Sequence, residues 1–224
     1  NPATVKTDCL VLVVAATGEP GKAAAAIDDA TGGLISGALK DGELAKFLKT
    51  LEAYKPSGLA AKRLIVISTG NKPVGPVEFA KLIAKIAAAT KGTTIKSAAI
   101  CLDDLAIKNR DILWGAAELA KTVSEAQYVF DQCKSKKDDH PKLAKVSLLA
   151  PSAAEADILS AALNNGLALA KGIRFARELG DLPANICTPS YLADEAQKLA
   201  KSTPGLTAKI LNDAVELRLF FFPY

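Results

Sequence analysis

Between residues 9 and 150, short β-branched and aliphatic runs alternate with longer stretches whose apolar positions recur every three or four residues. That alternation leaves few architectures open, because strand, amphipathic helix and strand in succession build a mostly parallel sheet whose faces the helices cover. The strand-like runs are residues 9–15, 63–68, 97–102 and 146–150, and Arg63-Leu64-Ile65-Val66-Ile67-Ser68 is the clearest. Helical spacing is plainest over 77–89, where Phe79, Leu82, Ile83 and Ile86 share one face. It is also seen over 22–30 and in the stripe Leu34, Ile35, Ala38 and Leu39, which stops at Asp41-Gly42.

From Asn109 to Phe130 the set Ile112, Leu113, Ala116, Leu119, Ala120, Val123 and Val129 predicts one long helix with Asn109 as its N-cap. Pro151-Ser152-Ala153-Ala154-Glu155 has the serine and reciprocal glutamate of a capping box, so a second long helix is expected to run to about Leu179. Thr188-Pro189 opens a further helix to about Ser202, and a strand is expected over 207–211. The tail, Leu217-Arg218-Leu219-Phe220-Phe221-Phe222-Pro223-Tyr224, carries three of the seven phenylalanines and departs from the composition before it.

Helix should exceed strand, since 41 of the 224 residues are alanine. The longest clean apolar run, Cys9 to Ala16, is too short for the roughly 20 residues of a spanning helix. Asp8 in front of that run argues against a secretory signal. A soluble, cytoplasmic protein is therefore expected, with no membrane partner. A formal charge of +4 does not by itself demand a polyanionic partner.

Several patterns invite a chemical reading. Cys9, Cys101, Cys133 and Cys187 contain no C-x-x-C pair, which predicts reduced thiols rather than a zinc knuckle. The single histidine, His140, lies in a charged loop, which leaves little room for a catalytic triad. Gly18-Glu19-Pro20-Gly21-Lys22 follows a strand as a phosphate loop does, but Ala16 and Ala23 occupy positions where that motif needs glycine and a hydroxyl. The acidic pairs Asp28-Asp29, Asp103-Asp104 and Asp138-Asp139 read as solvated caps, because neighbouring side chains point apart. Lys134, Lys136, Lys137, Lys142 and Lys145 form a basic cluster without interleaved arginine or aromatics. From the residues alone no catalytic, cofactor-binding or metal-ligating position is assigned.

Three segments, in order, resemble the leucyl aminopeptidase family of metallo-aminopeptidases. They are Ile27-Asp28-Asp29-Ala30-Thr31-Gly32-Gly33-Leu34-Ile35, then Tyr128-Val129-Phe130-Asp131-Gln132-Cys133-Lys134-Ser135-Lys136-Lys137, and the stretch Ala176 to Ala193 containing Asp181-Leu182-Pro183-Ala184-Asn185-Ile186-Cys187-Thr188-Pro189. The resemblance covers about residues 5 to 212 and implies a three-layer α/β/α sandwich of macro-like type followed by a long connecting helix. It implies residues 1–151 as an N-terminal domain, 152–180 as the connecting helix and 181–224 as the start of a catalytic domain with an atypical tail, cut or frameshifted near Ala214.

For the parent protein the resemblance implies a cytosolic homohexamer that releases N-terminal residues, leucine preferred, using two zinc or manganese ions. The family's metal-bearing strings, Gly-Lys-Gly-x-Thr-Phe-Asp and Asn-Thr-Asp-Ala-Glu-Gly-Arg, do not occur here, so no catalytic or metal position carries over and this chain alone is expected to be inactive. Its own role would be oligomer assembly, with DNA contact as a second task. An alternative is a stand-alone macro-like module holding a nucleotide near the Gly18–Lys22 and Gly70–Gly75 loops. A third reading is DNA binding through the Lys134–Lys145 face.

Overall fold

Six consecutive residues, Cys9–Val14, are buried, and they form strand β1 at the centre of the sheet. A strand covered on both faces reads as an unbroken apolar run, which is how a central parallel strand differs from a half-exposed one. The computed structural model describes residues 1–17, 20–91, 94–102, 105–150 and 152–211. Gly18, Asp103-Asp104, Pro151 and the tail from 212 onward, each of which entered the sequence reading, lie outside the described residues.

After β1 come helices α1 (Lys22–Ala30) and α2 (Leu34–Lys40), then strands β2 (Thr50–Tyr54) and β3 (Arg63–Ser68). Helix α3 (Pro76–Thr90) leads to β4 (Ser97–Cys101), and α4 (Ile112–Ala126) leads to β5 (Lys145–Leu148). Helices α5 (Ala153–Asp181) and α6 (Pro189–Ser202) follow. The sheet order is β2-β3-β1-β4-β5; β1, β3, β4 and β5 are parallel, and β2 is an antiparallel edge. The chain divides into two compact units, Asn1–Arg174 and Phe175–Tyr224, and α5 runs across the division.

Side-chain alternation along β1 sorts the core into two layers. Cys9, Val11 and Val13 face Phe79, Leu82, Ile83 and Ile86 of α3 with Leu119 and Val123 of α4. Leu10, Leu12 and Val14 face Ala24 and Ile27 of α1 and Ile35 of α2. Helices therefore cover both faces, and the architecture is the α/β/α sandwich expected. On its outer side α4 also receives α5, through Ala116, Leu159 and Ala162.

Helix boundaries follow from their caps. Glu78 accepts from the Gly75 N–H at the start of α3 (3.1 Å), and Ser152 and Glu155 form the expected capping pair (2.7 Å). At α6, Thr188 Oγ1 accepts from the Tyr191 N–H, with Pro189 in the first turn. Three expectations are corrected. Asn109 does not cap α4: it sits at φ 59°, outside the extended region an N-cap needs, and Asp111 accepts from the Trp114 N–H instead (2.8 Å). That helix ends at Ala126, before Val129. Residues 207–211 form no strand.

Among the described residues, no helix is long and apolar enough to cross a membrane.

Candidate functional site

The parallel strands of an open α/β sheet direct their carboxyl ends toward a common crevice, where such folds hold ligands. Here that crevice is a cleft of about 190 Å³. It is lined by Val14, Ile35, Leu39 and Leu105 together with Pro20, Gly21, Thr69 and Lys72. The two strand-exit loops singled out in the sequence thus meet at one cleft, through Gly21 on one side and Lys72 on the other. Thr69 is buried and its Oγ1 lies 3.4 Å from the Val14 carbonyl, so it braces the loop.

The family-like segment Ile27–Ile35 has a structural task. Asp28 Oδ1 accepts from the N–H groups of Ile35 (2.6 Å) and Ser36 (3.0 Å), closing the first turn of α2 from the end of α1. Partial burial pushes the Asp28 carboxyl up, and the hydrogen bonds from Ser36 and Ile35 outweigh it, so it titrates below the ordinary carboxylate range. Gly32 and Gly33 make the turn between the helices at φ 69° and 87°, a region open to glycine without strain.

The Tyr128–Lys137 segment closes on Asp131. Its Oδ2 lies 2.9 Å from His140 Nε2 and accepts from the Asp138 N–H (3.2 Å). Lys137 Nζ donates to the Asp131 main-chain oxygen (2.6 Å), and Lys134 pairs with Asp138 (2.6 Å). The His140 ring nitrogen is the main influence holding Asp131 below the usual carboxylate range. Two of the five clustered lysines are therefore engaged within the loop, while Lys136, Lys142 and Lys145 stay exposed.

One polar centre had no sequence signal. Asp8 Oδ1 lies 2.6 Å from Lys62 Nζ, and its Oδ2 accepts from the N–H groups of Lys96 (3.0 Å) and Ser97 (3.1 Å). A single carboxylate thus ties together the starts of β1, β3 and β4. The Lys62 ammonium and those N–H groups hold it at a pKa of about 2.

Of the thiols, Cys9 and Cys101 are buried, and burial pushes Cys9 up to about 11, where it carries no nucleophilic thiolate near neutrality. Among the described residues, no three His, Cys, Asp or Glu side chains converge as a metal site would need. The donor set of the described residues does not fit the pair of metal ions that the resemblance implies for the parent.

A family model for the N-terminal domain of the cytosol aminopeptidase family matches residues 11–137, more than half of the chain. The chain belongs to the cytosol aminopeptidase family. A cytosol aminopeptidase of Pseudomonas aeruginosa is 38% identical over 215 residues, which is 95% of this chain and 43% of that protein. A probable cytosol aminopeptidase of Azotobacter vinelandii is 37% identical over 215 residues, with the same coverage. The chain spans less than half the length of these curated relatives.

Among solved structures, a tomato leucine aminopeptidase mutant superposes with a TM-score of 0.68 at 19% identity, over 88% of this chain and 40% of that one. The bottromycin maturation enzyme BotP in complex with Mn gives 0.60, also at 19%, over 88% and 36%. At such identities the superpositions establish the shared fold. Within this cytosol aminopeptidase domain, the matched stretch runs from the middle of β1 into the Asp131 loop and so takes in every strand of the sheet except β5.

Proposed function

We propose that this chain is the N-terminal, non-catalytic part of an aminopeptidase whose complete protein releases N-terminal residues, leucine preferred, from peptides in the cytoplasm. The match of residues 11–137 to the family's N-terminal domain carries this reading. Residues 1–151, 152–180 and 181–224 are then the domain, its connecting helix and the start of the catalytic part. The two divalent ions, zinc or manganese, and the residues that hold them belong to the portion of the relatives beyond this span.

The domain's own role in this reading is assembly of a homohexamer, with DNA contact as a second task. Exposed apolar residues on α5, Ile158 and Leu169 among them at 56% exposure each, are the kind of surface a neighbour covers. The test is an assay of the purified chain on leucine anilide with added Mn²⁺ or Zn²⁺. No turnover is expected, whereas the chain joined to the C-terminal portion of a relative should turn over substrate. Metal-dependent hydrolysis by the 224-residue chain alone would overturn the reading.

A second reading, a stand-alone nucleotide-binding module, draws on the cleft at the strand ends. Its volume of about 190 Å³ is below the roughly 300–1,000 Å³ usual for ligand sites, so it would seat only part of a nucleotide, and the first reading is preferred. Calorimetry with ADP-ribose at millimolar concentration decides it, and absence of binding removes the module.

A further inference from the structure

We infer that the open edge of β5 is a docking site for one extended peptide segment of another protein, apolar at alternate positions, basic at its N-terminal end and acidic at its C-terminal end. The Lys145 and Leu149 N–H groups donate inward, to the Lys96 (3.1 Å) and Ile100 (2.8 Å) carbonyls. Main-chain polar groups alternate sides along a strand, so the N–H and C=O of Val146 and Leu148 point away from β4. Strand β5 is last in the sheet order, and no described strand pairs with that side. It is also the least buried of the parallel strands: Lys145 and Val146 are exposed, and Ser147 and Leu148 are half-buried.

Beside that edge runs a groove of about 420 Å³, within the roughly 300–1,000 Å³ usual for ligand sites. Leu119 of α4 lines it, with Leu143, Val146 and Leu148 on one side and Leu163 and Leu167 of α5 on another. The groove lies wholly within the first compact unit and shares no residue with the cleft at the strand exits.

A free strand edge takes an extended main chain, which matches its alternating donors and acceptors, and the apolar wall beside it takes that chain's alternate side chains. The four residues of β5 span about 13 Å, so a partner of about six residues reaches past both ends. Those ends differ in charge. Lys145 lines the groove at the start of β5, with exposed Lys142 just before it. Past the other end, exposed Glu155 lines the adjoining hollow together with Leu148. Antiparallel pairing is the more stable kind, and it sets the partner's C-terminal end at Lys145 and its N-terminal end at Glu155. A second copy of β5 fits less well, because α5 stands beside the open edge and the copy would bring its own α5 into the same space. A segment without a covering helix meets no such obstacle.

The test is fluorescence anisotropy of a labelled hexapeptide, Lys-Val-Thr-Val-Thr-Glu with blocked termini, titrated with the full chain. The peptide should bind saturably. Two analogues carry N-methyl groups on alternate amides, in opposite phase; the one whose methyl groups face β5 should lose binding and the other should keep it. Exchanging the Lys and Glu ends should weaken binding about 2- to 10-fold, and equal binding would overturn the antiparallel polarity. Val146→Pro removes an outward N–H at an edge position that tolerates proline, and Leu167→Lys puts a charge into the groove. Each should weaken binding about tenfold. The control Leu169→Lys makes the same change on α5 outside the groove and should leave binding unchanged. Thermal unfolding checks that each variant is folded.

If the hexapeptide does not bind, or if both N-methyl analogues bind as well as it does, the edge is no strand-docking site and the inference falls. Self-association of the wild type that Val146→Pro abolishes and the peptide competes away would make the edge a contact between copies and overturn it. Binding to this chain but not to the chain joined to the C-terminal portion of a relative would make the edge a seam within the complete protein, and would overturn it as well.

Discussion

Asp8 shows how much one side chain organises here. Its carboxylate is 17% exposed and serves two strand entries besides its own, while its partner Lys62 is 68% exposed. An ion pair so open to water contributes little, so the bonds from the Lys96 and Ser97 N–H groups matter more. Asp8→Asn keeps the shape but loses the charge, and it should cost about 1–2 kcal/mol, read as a lower midpoint in urea. An unchanged midpoint would mean that the three strand starts hold one another without it. Nothing in the sequence marks this residue as a tie between strands, because its partners lie 54 to 89 positions away. Asp28 was more legible: the pair Asp28-Asp29 reads as caps, and Asp28 does cap the start of α2.

Helix α5 is the element whose glycines make opposite demands. A methyl group at Gly166 would stand 2.1 Å from the Ala117 carbonyl oxygen on α4, whereas nothing lies within 4 Å of the same position at Gly172. Gly166→Ala should force the two helices apart and cost about 1–3 kcal/mol. Gly172→Ala should stabilise the same helix by about 0.5–1 kcal/mol. Thermal unfolding of both variants checks the pair, and equal shifts would refute the close packing of α5 on α4. Elements buried on both faces were easy to read from the sequence, and β1 and β3 lie where their apolar runs are. Strand β2 was not read at all: Thr50-Leu51-Glu52-Ala53-Tyr54 is a half-exposed edge whose short alternation competes with no strong apolar signal. The α4 start was misplaced because Asn109 and Asp111 are both good caps by type, and only the backbone conformation separates them.

Acid should act on the molecule as a whole through its depressed carboxylates. Asp8, Asp28 and Asp131 all titrate below their ordinary values in the folded state. Each therefore adds stability that is fully present above the unfolded carboxylate range, near pH 4, and is lost as pH falls. For Asp8 the loss runs down to its folded value of about 2. Unfolding midpoints should be flat from neutrality to about pH 5 and fall below pH 4, and Asp8→Asn should blunt that fall. A midpoint independent of pH down to 3 would contradict the hydrogen bonds described for these groups. At this scale the two strand-exit loops could be placed at one cleft from the sequence, because strand ends in a parallel sheet must converge. The central place of β1 also bears on how the protein is made. Of the strands in this sequence, the earliest to leave the ribosome is the one both neighbours must flank, and the second of these ends at Cys101. At about 5–20 residues per second, its six apolar residues wait roughly 4 to 17 seconds for both partners. During that interval a nascent-chain holdase has a clear segment to grip.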